Sequence, residues 1–128
     1  MKKQTKFILF IIILVIIVGG LGFFASRFET KSDPKIDAFA QCISDSGAKF
    51  YGTFWCSHCQ NQKKMFGPSQ KLLPYVECST KNGKDQLPIC KDAGIDGYPT
   101  WVFADGSRLS GELSFESLSS KTQCSLPQ

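Results

Sequence analysis

The chain has 128 residues, with 15 lysines and arginines against 11 aspartates and glutamates, for a net charge of +4. Three of those charges sit on Lys2, Lys3 and Lys6, so the rest is nearly neutral and lacks the basic patch that nucleic-acid binding requires. Residues 26–128 suffice for one small domain, and the six cysteines among them suit an oxidising compartment where disulfides reinforce a modest core.

Residues 1–6 are a basic N-terminus, and residues 7–25 run from Phe7 to Ala25 without a charge. At a helical rise of ~1.5 Å per residue the run spans ~28 Å, close to the ~30 Å of a bilayer's hydrocarbon core. A cleaved signal peptide would have an apolar stretch of about 7–15 residues followed by a small-x-small site. Gly20-Leu21-Gly22 resembles such a site, but the apolar run continues through Phe23 and Phe24. The expectation is therefore an uncleaved transmembrane anchor. The flanking lysines favour an inside N-terminus and an exported C-terminal domain. Residues 26–33 form a short polar linker that reaches at most ~28 Å when extended, and residues 34–128 form the exported domain.

Pro34 opens the first helical pattern of that domain, with Ile36, Phe39, Ala40 and Ile43 on one face, Cys42 on its flank and Gly47 as its stop. Lys49 to Trp55 is aromatic-rich and reads as a buried strand running into Cys56. A helix from Cys56 to Phe66 is broken by Gly67-Pro68, and a turn at Ser69 to Leu73 leads to a strand at Pro74 to Cys78. Ser79 to Lys84 is a polar loop. Gln86 to Ala93 is a short helix with Pro88 in its first turn and Gly94 after it. Strands at Thr100 to Ala104 and Ser107 to Gly111 flank the hairpin signal Asp105-Gly106, and Ser114 caps a last helix to about Thr122. The order is α-β-α-β-α-β-β-α.

Trp55-Cys56-Ser57-His58-Cys59 carries the chemistry. Two cysteines two residues apart at a helix start close a small disulfide, or open to a dithiol, with little backbone movement. Unpaired N–H groups and the positive end of the helix dipole stabilise a thiolate at Cys56. His58 can add positive charge nearby, and a favoured thiolate makes the pair a stronger oxidant. A zinc site is the competing use of such a pair, but a closed one needs four ligands, usually as two close pairs. This chain has one Cys-x-x-Cys and a single histidine, which lies inside it. Cys56 is expected as the exposed attacking thiol and Cys59 as the buried resolving one.

The element order, the Trp-Cys-x-x-Cys and the Gly97-Tyr98-Pro99-Thr100 before a late strand resemble the α/β thioredoxin fold. That resemblance implies a cis peptide before Pro99, which packs beside the redox cysteines and leaves the backbone of Tyr98 free to pair with an extended client. The segments Ala48-Lys49-Phe50-Tyr51-Gly52, Phe54-Trp55-Cys56 with His58-Cys59-Gln60, Leu73 to Cys78, and Gly97 to Trp101 resemble one branch more closely. It is the thioredoxin-like domain fused to bacterial vitamin K epoxide reductase homologues, and the likeness covers about Asp37 to Ser120. There the domain follows a final transmembrane helix and passes electrons to a four-helix quinone reductase. The resemblance implies a detached domain that oxidises exported client thiols through Cys56–Cys59 at the outer face of a bacterial cytoplasmic membrane. A separate membrane quinone reductase would re-oxidise it. Neither a metal nor an organic cofactor is expected in this chain, and any quinone belongs to the partner.

Two positions depart from the family pattern: Ser57 stands where proline is common, and Phe50 occupies the place of a buried carboxylate that accepts the proton of the second cysteine. The related domains imply a structural disulfide between Cys78 and Cys90, with a relay redox pair as its alternative. Closing a loop of ~12 residues contributes about 3 kcal/mol. Cys42 and Cys124 lie outside the family's recurring cysteines. A bridge between them is favoured, against two free or intermolecular thiols. In a standard thioredoxin fold the first and last helices lie on opposite sheet faces, so that bridge would require the tail to wrap an edge. Trp55 and Tyr98 are expected at the rim as an apolar platform for a client peptide, with Thr100 beside them and Trp101 in the core. The rivals are a disulfide reductase or isomerase, told apart by a low reduction potential, a copper-handling module, which would need further His or Met ligands, and a scaffold domain with a blocked redox pair.

Overall fold

The computed structural model describes residues 2–25 and 31–128, which belong to two compact units, Met1–Lys31 and Ser32–Gln128. In the first, helix α1 runs Lys2–Ala25 and takes in the lysines as well as the apolar run. Its Lys3–Gly20 stretch is long and apolar enough to cross a membrane. The greater part of the linker expected at 26–33 lies outside the described residues.

In the second unit, helix α2 spans Pro34–Asp45. The Asp33 carboxylate accepts the Lys35 N–H, Pro34 supplies a preset φ at the first turn, and Phe39, Ala40 and Ile43 are buried along one face. Gly47, at φ +84°, reverses the chain into β1, Lys49–Gly52. Helix α3 (Ser57–Met65) and a 3₁₀ turn (Gly67–Leu72) then cross over to β2, Tyr75–Glu77, which pairs parallel to β1. Helix α4 is Pro88–Asp92, shorter than the Gln86–Ala93 expected. Strands β3 (Thr100–Val102) and β4 (Arg108–Ser110) add antiparallel, giving the sheet order β2-β1-β3-β4, and α5 spans Phe115–Thr122. The result is a mixed four-stranded sheet flanked by helices, a thioredoxin-like fold.

Strand β1 stops three residues short of the expected Trp55. The Cys56 N–H turns back to the Thr53 carbonyl, and the Phe54 N–H finds the Glu77 carboxylate instead of a ladder partner. Phe54 and Trp55 are thereby delivered to the surface, at 50% and 56% exposure.

Alternation along the strands separates two cores. On one face Phe50 stacks on Trp101 at 4.6 Å between ring centroids, and both join Phe39, Ile43, Cys59, Phe66 and Leu118. On the other, Tyr51, Val76 and Val102 pack against Cys78, Cys90 and Ile95. The placement of α2 corrects one expectation. It shares the first face with α5, through the contact of Phe115 with Phe39 (5.2 Å), and Phe115 also meets Phe66 at the end of α3 (4.9 Å). Among the described residues no strand precedes α2, so the right-handed crossover rule that would send a helix between two parallel strands to a set face does not act on it. Gln123, left-handed at φ 61°, then turns the tail directly back to α2, and Cys124 bonds Cys42 without wrapping an edge (Cα–Cα 5.9 Å).

Candidate active site

The start of α3 is built around sulfur. Cys56 is its N-cap, in extended conformation, and its Sγ accepts the Cys59 N–H at 3.2 Å. Both thiols are free. Cys56 keeps only 8% of its surface, less than the open thiol anticipated, and Cys59 is enclosed completely. Gly52 explains how Cys59 fits: a Cβ there would meet the Cys59 Sγ at 2.9 Å and the Tyr75 ring at 3.0 Å. Burial pushes the Cys59 thiol up to about 12, and its hydrogen bond with Cys56 adds to this. The Thr53 backbone and the Lys63 charge pull the other way.

The rim comes from three separate segments. The Tyr98–Pro99 peptide is cis, Pro99 is fully buried, and its carbonyl accepts the Gly111 N–H. Trp55 lies edge-on to Tyr98 at 6.2 Å and donates its indole N–H to Ser79 Oγ at 3.0 Å. Gln86 donates to the Tyr98 hydroxyl at 2.8 Å. Between Trp55, Ser79, Gln86 and Tyr98 lies a cleft of about 150 Å³. A larger one, about 640 Å³, lies between α2 and the tail at Ser125–Gln128 and contains neither redox cysteine. Thr100 is 4% exposed and donates to the Gly97 carbonyl, so its side chain braces the loop around Pro99 from within. Trp101 is in the core. Cys78 and Cys90 are bonded to each other, fully buried, directly behind the Ser79–Gln86 loop.

His58 is mostly exposed and turns its Nδ1 to the Glu112 carboxylate at 2.7 Å, a group that also accepts from Asn61 Nδ2. These hydrogen bonds hold the Glu112 carboxyl below its usual range. A protonated His58 thus faces a carboxylate of its own, which tempers the charge it can offer Cys56.

Four polar residues that sequence reasoning passed over organise the site. Glu112 anchors His58. Gln62, fully buried on α3, accepts the Leu113 N–H at 2.7 Å and the Trp101 indole N–H at 3.4 Å, and donates to the Leu113 carbonyl. Beneath Cys59, the Lys63 ammonium stands 3.3 Å above the centroid of the Tyr75 ring, whose hydroxyl donates to Glu77 at 2.8 Å. Glu77 also accepts the N–H groups of Ser79 and Phe54, tying the loop and the segment before Cys56 to one carboxylate. Burial holds the Lys63 ammonium below its usual range, opposed by Glu77 and Cys59, and raises the Tyr75 phenol.

No family model matches the chain. In sequence it is similar to the thiol-disulfide oxidoreductase LTO1 of Arabidopsis thaliana, 44% identical over 112 residues. The match takes in 84% of this chain but only 30% of that relative, so the chain spans less than a third of the larger protein's length. What it is similar to is thus one part of a larger thiol-disulfide oxidoreductase.

Proposed function

We propose that this chain is a membrane-anchored thiol–disulfide oxidoreductase that oxidises client thiols outside the cytoplasm of a bacterial cell. The observation that carries the reading is the Cys56 sulfur capping α3, with the Cys59 sulfur buried one turn on. A client thiolate attacks Cys56 of the disulfide form, Cys59 leaves as thiolate, and a second client thiol releases the mixed disulfide, so two electrons pass from client to protein. Trp55 and Tyr98 form the platform for the client, beside the cis peptide before Pro99.

The likeness to a larger thiol-disulfide oxidoreductase supports the reaction class. The apolar helix α1 and the lysines at its start support an anchor with the catalytic unit on the outer side. Re-oxidation falls to a separate membrane quinone reductase of the vitamin K epoxide reductase type, on the resemblance of the Cys-x-x-Cys and Gly-Tyr-Pro-Thr segments.

The test is the reduction potential of Cys56–Cys59 in the full chain in detergent micelles, equilibrated with glutathione buffers and read by thiol alkylation and mass. A value of about −120 to −180 mV supports disulfide donation, whereas about −270 mV overturns it in favour of a reductase.

A further inference from the structure

The exchange chemistry has an unmet requirement at Cys59. Its sulfur must carry negative charge, as leaving group in one direction and as nucleophile in the other, in a site with no solvent exposure. The place where related domains put a buried carboxylate is taken by Phe50, fully buried between Tyr75 (5.2 Å) and Trp101 (4.6 Å). No acid can act from there.

The groups facing Cys59 are few. From its own helix and its cap come Lys63 and Cys56, from β2 comes Tyr75, and from the end of β1 come Gly52 and, just beyond it, the Thr53 backbone; Glu77 faces Lys63 and Tyr75. Of these, Lys63 is the one positive charge. It lies one turn after Cys59 on α3, the spacing that puts two side chains on the same helix face. The Tyr75 ring touches both the space over Gly52 that Cys59 fills and, on its face, the Lys63 ammonium. Glu77 fixes that ring through its hydroxyl and balances the lysine in a partly buried setting.

We infer that Lys63, held over the Tyr75 ring and balanced by Glu77, is the positioning residue that stabilises the Cys59 thiolate. This rests on the oxidoreductase reading but not on its direction. In resolution, the Cys59 thiolate attacks Cys56 Sγ, the Cys56–Cys59 bond forms, and the Cys56–client bond breaks with the client sulfur leaving as thiolate. The Cys59 proton goes to solvent beforehand. In the reverse step Cys59 leaves with the electron pair. The same lysine is one helical turn from the negative sulfur in both steps.

The reduced full chain in detergent micelles is mixed with excess 5,5′-dithiobis(2-nitrobenzoate), which releases one coloured thiolate when Cys56 attacks and a second when Cys59 resolves. The rate of the second phase is followed against pH in the wild type, Lys63→Met, Lys63→Arg and Glu77→Gln. Lys63→Met is expected to slow the second phase about tenfold near neutral pH and to move its midpoint upward by about one unit, with the first phase unchanged. Lys63→Arg restores the wild-type midpoint, and Glu77→Gln moves it downward because Lys63 is freed of its counter-charge. Packing damage does not produce shifts of opposite sign. A Lys63→Met profile that overlays the wild type, or a Lys63→Arg variant as slow as Lys63→Met, overturns the inference. Wild type that releases no second equivalent instead overturns the exchange reading itself, and this inference falls with it.

Discussion

Replacing Gln62 by leucine tests how α3 is held to the rest of the unit. The side chains are close in volume, so the change removes polar partners more than it opens a cavity. It strands the Leu113 N–H and carbonyl and the buried Trp101 indole N–H, which Gln62 meets at 2.7, 3.1 and 3.4 Å. At about 1 kcal/mol for each good bond, with extra desolvation cost for orphaned donors, the loss is about 3–4 kcal/mol. Burying leucine in place of an amide returns about 1 kcal/mol, leaving a net loss of about 2–3 kcal/mol. Tryptophan fluorescence during urea unfolding of the full chain in micelles reads this, because Trp55 and Trp101 both lie in the C-terminal unit. With a slope near 1–1.5 kcal/mol per molar urea, the midpoint falls by about 2 M. A fall below about 0.3 M would refute the reasoning, and would mean that water satisfies Leu113 and Trp101 in the variant.

Three other outcomes are expected. Removing the long bridge as the double variant Cys42→Ala/Cys124→Ala frees a loop of sequence separation 82, and urea unfolding should show a loss of about 4.5 kcal/mol from loop-closure entropy. Gly52→Ala places a methyl 2.9 Å from the Cys59 sulfur; calorimetry should show a loss of about 1–3 kcal/mol from overpacking, together with slower resolution of a glutathione adduct at Cys56. The Cys59 thiol, at 9.0 in the unfolded chain and about 12 in the reduced fold, keeps its proton longer when folded. The reduced form therefore loses stability relative to the disulfide form as pH rises from about 9 towards 12, and a flat difference in unfolding midpoints across that window would refute it.

Much of the architecture is legible in local chemistry. Pro34 behind an aspartate, the Asp105-Gly106 hairpin and the Ser114 cap each act over a few residues, and the elements they bound are where those residues place them. The features that escape are non-local. Strand β1 ends at Gly52 because Glu77, 23 residues after Phe54, takes the backbone N–H that a longer strand would have paired. The position of α2 beside α5 depends on a strand that the described residues lack, and no pattern within α2 records that. Asn61, Gln62 and Lys63 are, by residue type alone, indistinguishable from solvated helix positions. Only contacts to Leu113, Tyr75 and Glu112 distinguish them from a solvated surface. The Cys-x-x-Cys was visible because its chemistry needs close spacing, whereas the groups that adjust it come from up to 54 residues away.

The bond between Cys42 and Cys124 has a mechanical consequence. It converts a stretch of sequence separation 82 into a covalent ring that contains the whole sheet and both redox sulfurs. Tension transmitted along the chain enters at residue 42 and leaves at residue 124 through the sulfurs, bypassing the strands. At about 3.5 Å per extended residue, the ring withholds roughly 280 Å of contour length that an open chain would release. A pull from the N-terminal side can unravel α2 only as far as Gln41, and the active site bears no load until a reductant cuts the ring.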